Sequence, residues 1–220
     1  MTSTWSRVQI DDRFAELFSP EGARFAILWL HSQAEELASK NTVLTRTLEK
    51  HKLACVAPHG GQSWWIDDRR ILNCILPWIR DRWRSIGIAG IEMGGQGAIR
   101  LGLKHPSIFR SVGSLGGAID FHELHGNGTP LDEMYDTRER ARQDTATLHM
   151  HPSEWPPHLW FACSPEDPWF RGNDRLDEKL RAYGVPHTAD LESGGGPGGD
   201  AAIRGEWPRE GIAATDVIGS

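Results

Sequence analysis

The chain has 220 residues, enough for one domain with a sizeable core. It is 39% hydrophobic and 25% charged with a formal net charge of −6, which excludes the basic footprint of a nucleic-acid-binding protein. No window approaches the roughly 20 apolar residues that span a bilayer, and MTSTWSRVQIDD has no basic segment leading into an apolar stretch, so neither a membrane span nor a signal peptide is expected.

Residues 5–10 and 13–18 read as two short strands, with a Ser19-Pro20-Glu21-Gly22 turn after the second. FAILWL at 25–30 is a continuous apolar run, the pattern of a strand buried on both faces of a sheet, and it ends at His31-Ser32-Gln33. Residues 34–51 are a helical stretch with a break near Asn41. LACVA at 53–57 is a second buried strand, closed by Pro58-His59-Gly60-Gly61. Asp67 and Asp68 open the next helix, since acids favour helix N-termini, and Ile71, Ile75, Trp78 and Ile79 repeat with a helical period.

Residues 86–91 form a central strand that feeds a Gly-rich turn, and 95–104 the helix behind it, ended by Pro106. Residues 112–115 are the next strand. Residues 131–147 are polar, charged and helical, and LWFAC at 159–163 is a strand before Ser164-Pro165-Glu166-Asp167-Pro168. Residues 174–183 form an amphipathic helix closed by Gly184, and 187–191 the last strand. GGGPGG at 194–199 is a loop, and residues 201–220 a weak, frayed tail. No internal repeat or second domain boundary is visible, so residues 1–220 read as one domain.

Alternating strands and helices predict an α/β fold with a mostly parallel sheet covered on both faces. Ligands in such sheets bind at the carboxyl ends of the strands. The loops at 31–33, 58–65, 92–94, 165–168 and 194–200 therefore hold the candidate site. Cys55, Cys74 and Cys163 lie in apolar runs without a C-x-x-C, which predicts reduced core thiols in a cytoplasmic protein. Trp64 and Trp65 adjoin a turn and either wall a pocket or pack beneath the loop. His31 at a strand end and His59 in a Gly-rich loop are candidate pocket residues, although structural roles suit both. His149 and His151 have the i, i+2 spacing of metal ligands but precede Pro152 in a loop, where a bland reading is preferred.

Gly90-Ile91-Glu92-Met93-Gly94 occupies the strand–turn–helix context of the G-x-S-x-G nucleophile elbow, with glutamate where serine would stand. At IAGIEMGGQGAIRLGLKHPSIF (88–109) the chain resembles the α/β-hydrolase superfamily. Within it the resemblance is to the putative-esterase branch of S-formylglutathione hydrolase-like and acetyl-xylan-esterase-like proteins. His31, the loop Pro58–Trp64, the segment 114–120 and the turn 163–167 extend the resemblance over about residues 24–191. It implies the three-layer α/β-hydrolase fold and an esterase-like ancestry. It also implies Asp167 as the acid of a triad, and the Met93 and Gln33 N–H groups as an oxyanion hole.

Ordinary serine-esterase chemistry needs a hydroxyl nucleophile, a histidine base and an acid that orients it. Glu92 replaces the first. The loop at 194–200, where the family carries the histidine, has none, and no histidine follows His187. The preferred reading is a non-catalytic, pseudoenzyme-like protein that binds an ester-like small molecule or a protein partner. The alternative is an active non-standard hydrolase using the Glu92 carboxylate with Asp167, its water-activating base sought among His31, His59 and His187. A plain interaction protein is a third reading, and a homo-oligomer is left open. A cluster of Glu92, Asp167 and Asp200 could recruit a hard divalent metal, but no metal ligand set or cofactor is assigned. Glu is long enough to fold back onto the N–H groups that an oxyanion would need. A strained backbone persisting at Glu92 would argue that the turn still serves something; a relaxed one would argue for a solvated residue without a role.

Overall fold

The computed structural model describes residues 4–151 and 153–192. Strands β1 (Ser6–Ile10), β2 (Arg13–Phe18) and β3 (Phe25–Leu30) come first. Helix α1 (Thr42–His51) and strand β4 (Leu53–Pro58) follow. A helical run then comprises α2 (Asp68–Arg70), a π-helical turn (Ile71–Ile75) and α3 (Leu76–Arg80). Strand β5 (Ser85–Ile91) leads into α4 (Met93–Lys104), and β6 (Ser111–Leu115) into the short helices α5 (Leu131–Met134) and α6 (Arg138–Gln143). Strand β7 (His158–Ala162), helix α7 (Phe170–Ala182) and strand β8 (Thr188–Asp190) complete the described chain.

The eight strands form one sheet in the order β1-β2-β4-β3-β5-β6-β7-β8. The β1–β2 and β2–β4 pairs are antiparallel, and the rest are parallel. Successive side chains of a strand point to opposite faces, which explains the continuous apolar runs. Ala26, Leu28 and Leu30 join one core with Ala54, Val56, Ile88 and Phe161, where α3, α4 and α7 add Ile79, Ile99, Leu101 and Leu180. Trp29 joins the opposite core with Cys55, Ala57, Ala89 and Trp160, where α1 adds Leu44 and Leu48. The sheet is thus covered on both faces, as the sequence predicts.

Three details differ from expectation. Residues 34–37 are not helical. After a 3-10 turn at Ala38–Lys40, Asn41 caps α1, its Oδ1 accepting the Leu44 N–H at 2.8 Å. The 131–147 stretch is broken into pieces rather than one helix, because Tyr135 is extended and Thr137 starts α6 anew as its N-cap, accepting the Arg140 N–H. Cys74 is exposed, unlike Cys55 and Cys163, because Ile71 and Ile75 take the buried side of the π-helical turn. That turn precedes Pro77, whose missing N–H leaves the regular helical ladder one donor short. Among the described residues, no helix is long and apolar enough to cross a membrane.

Candidate functional site

The site gathers at the carboxyl ends of β3, β5 and β7. Glu92 stands between β5 and α4 with φ 52° and ψ −112°, a conformation a side-chain-bearing residue adopts only under strain of about 1–3 kcal/mol. The backbone is held there from both sides. The Glu92 N–H donates to Leu115 O at 2.9 Å, and Glu92 O accepts the N–H groups of Gln96 and Ala118, each at 3.0 Å. The flanking glycines are required by the turn's tightness. A Cβ at Gly94 would collide with the Leu30 carbonyl and lie 2.7 Å from His31 O; one at Gly90 would collide with the Gly94 carbonyl. The strain is retained with glutamate in place.

The half-buried Glu92 side chain turns toward the end of β3, where the Gln33 N–H donates to its Oε2 at 3.3 Å. Met93 opens α4, so its N–H is among those with no acceptor inside the helix. Burial raises the Glu92 pKa above its ordinary value; the Gln33 N–H pulls it back, and the negative charge of Asp167 raises it further. Asp167 is 5% exposed and its Oδ1 accepts the Trp169 N–H at 2.8 Å, so it also orders the approach to α7. Two carboxylates therefore face one site.

The histidines are employed elsewhere. His31 Nε2 accepts the Gly60 N–H at 2.9 Å, which leaves the proton on Nδ1 to donate to Ser32 O at 2.7 Å. Burial pushes its pKa down and favours this neutral form. His59 stacks on Phe14 with ring centroids 3.9 Å apart, and its pKa is likewise lowered by burial. His187 pairs through Nε2 with Asp177 Oδ1 at 2.8 Å and stacks on Phe161, in the packing of α7. His149 pairs with Asp144. Among the described residues, no histidine hydrogen-bonds to Glu92, whose side chain is met by the Gln33 N–H.

Trp64 and Trp65 pack beneath the loop, 0% and 2% exposed, each at positive φ. Trp65 Nε1 donates to His31 O at 3.1 Å, and Gln96 Nε2 donates to Trp64 O. Gln96, fully buried on the first turn of α4, thus ties the loop to the turn at Glu92, a role absent from the sequence reading. An amide four residues beyond Glu92 among apolar and glycine neighbours was its only signal. Asp200, the third carboxylate of the expected cluster, and the 194–199 loop lie outside the described residues. Among the described residues, no group of three or more His, Cys, Asp or Glu comes together to hold a metal.

Residues 46–189, more than half of the chain, match the family described as Putative esterase. The chain belongs to that family. A comparison with curated protein sequences finds no match. Solved structures similar to this esterase-family chain include FphF, the fluorophosphonate-binding serine hydrolase F of Staphylococcus aureus, at 16% identity and a TM-score of 0.77 over 100% of both chains. A ferulic acid esterase is similar at 16% identity and a TM-score of 0.73, over 94% of this chain and 95% of its own. The S-formylglutathione hydrolase FrmB of Staphylococcus aureus is similar at 16% identity and a TM-score of 0.72, over 94% of this chain and 96% of its own. At such identities the likeness shows the α/β-hydrolase fold.

Proposed function

We propose that this esterase-family chain is a binding protein rather than an ester hydrolase. One observation carries the reading: the Gln33 N–H, which the family resemblance gives to an oxyanion hole, donates to the resident Glu92 carboxylate. Catalysis of acyl transfer depends on donors already aimed at where negative charge develops. A donor taken by a carboxylate is not available, and the carboxylate's charge repels the oxyanion that would replace it. No hydroxyl stands at the turn, and among the described residues no histidine hydrogen-bonds to Glu92; His31 and His187 are engaged by Gly60 and Asp177. A half-buried acid beside a second acid favours a ligand, small molecule or protein segment, that donates hydrogen bonds or carries positive charge.

The retained strain at Glu92 supports the competing reading, hydrolysis through the Glu92 carboxylate with Asp167. Hydrolysis of short-chain aryl esters by wild type, Glu92→Ala and Glu92→Ser separates the two. The expected result is turnover at the buffer background for wild type and Glu92→Ala alike. Wild-type turnover lost in Glu92→Ala overturns the binding-protein reading. Turnover gained in Glu92→Ser alone supports it, as the sign of a formed hole that the carboxylate had filled.

A further inference from the structure

At the opposite edge of the sheet, about 20 Å away along the seven residues of β5, three parallel strands begin side by side around a cavity of about 260 Å3. Ser85 opens β5, Ser111 opens β6 and His158 opens β7; Ser111 is in register with both Gly87 and His158. Arg84 and Arg110 directly precede the two serines, and Arg80 closes α3 one helical turn before Arg84. All three arginines line the cavity, and no aspartate or glutamate does.

That charge arrangement runs against the composition. Acidic residues outnumber basic ones, 30 to 24, yet none lines this cavity. Among the described residues, none of the three guanidiniums forms an ion pair or a side-chain hydrogen bond. Arg70, Arg100, Arg142, Arg175 and Arg181 pair with carboxylates, whereas Arg24, Arg46 and Arg69 show no such pair either; what sets Arg80, Arg84 and Arg110 apart is that they converge on one cavity. A helix C-terminus attracts cations and accounts for Arg80 in the last turn of α3. It does not account for Arg84 and Arg110, which lie beyond the ends of their helices. All three arginines are exposed, so solvent screens their mutual repulsion, and a polyanion would engage their guanidiniums at the cavity mouth.

We infer that this cavity is a binding site for a small phosphate-type polyanion, held by Arg80, Arg84 and Arg110 with the Ser85 and Ser111 hydroxyls as further donors. The guanidinium fork matches phosphate oxygens two at a time, and the lining serine hydroxyls add donors. The volume falls below the roughly 300–1,000 Å3 of drug-sized ligand pockets, which selects a compact anion such as a pyrophosphate or a small phosphoester. The site is independent of Glu92.

Calorimetric titration of the full chain with inorganic pyrophosphate at low ionic strength tests the assignment, with inorganic phosphate as comparator. Saturable one-to-one binding is expected, tighter for pyrophosphate than for phosphate. Arg84→Gln or Arg110→Gln should weaken it at least tenfold, while Arg46→Gln on the exposed face of α1 leaves it within twofold. Absence of saturable binding overturns the inference, as does equal weakening by Arg46→Gln, the sign of a nonspecific charge effect. Sedimentation with phosphatidate vesicles forms a second arm. Binding to vesicles without binding of free pyrophosphate would assign the arginines to a lipid surface and overturn the small-anion site.

Discussion

Glu92 carries two costs at once, a positive φ and a carboxyl group whose charged form is disfavoured by burial and by Asp167. Only the second depends on pH. A carboxyl group whose pKa is raised on folding gives its full stability below its unfolded value. That stability is lost as pH rises through the folded value, because the native state then binds protons the unfolded state has released. Glu92→Gln keeps the length and an acceptor for the Gln33 N–H but cannot ionise. Its melting temperature should therefore exceed that of wild type at pH 7, and the gap should close as the pH falls below the ordinary value of 4.5. A gap independent of pH in thermal melts would contradict the raised pKa. His31 has the complementary logic. Its neutral ring accepts the Gly60 N–H, and its depressed pKa preserves that acceptor at neutral pH.

The helix that follows Glu92 is positioned by what its residues lack. Gly94 lets the first turn of α4 approach the end of β3 so closely that a Cβ would overlap the Leu30 carbonyl. The obstacle is backbone, so no rotamer change relieves it. Gly94→Ala should destabilise the fold by about 3 kcal/mol or more, seen as a lower urea midpoint at unchanged slope. A variant as stable as wild type would mean that α4 can retreat from β3, and the strained turn with it. The close approach was legible in part, since glycines at 90, 94 and 95 around a strand–turn–helix pattern mark a tight turn. The π-helical turn at Ile71–Ile75 was not legible: its period differs from an ordinary helix by too little to show over five residues.

Across the molecule, α4 is also tied to the segment that follows β6. The buried Arg100 donates to Asp68 Oδ1 at 2.6 Å and to both carboxylate oxygens of Asp144, at 2.8 and 2.6 Å. Tyr135 and His149 complete the shell around Asp144. Burial by itself would raise the Asp144 pKa, but the His149 hydrogen bond and the Arg100 charge outweigh it and hold the group well below the usual carboxylate range. Arg100→Met removes the two-pronged partner of Asp144 and leaves Lys104 to pair with Asp68, and should cost about 3 kcal/mol at pH 7. A depressed pKa contributes stability above the unfolded value and loses it as pH falls through the folded one. The gap between wild type and Arg100→Met should accordingly narrow in strongly acidic buffer, as chemical denaturation at a series of pH values would show. An unchanged gap would locate the cost in packing alone.

The sequence by itself determined the α/β fold, because periodicity and apolar runs are local and each strand's burial is written in its own residues. It also determined that Glu stands at the centre of the Gly90–Gly94 pattern and that no histidine follows His187, since both are matters of composition. Where the Glu92 carboxylate goes, which histidines are occupied and how the tryptophans pack were decided only in three dimensions. The Gln33 N–H lies 59 residues from Glu92, His31 is claimed by Gly60, and Trp64 is held by Gln96. Such contacts depend on how strand ends dock, which a short-range pattern does not encode. The arginine-lined cavity has the same origin, since residues 80, 84, 110 and 158 meet only because their strands are neighbours in the sheet.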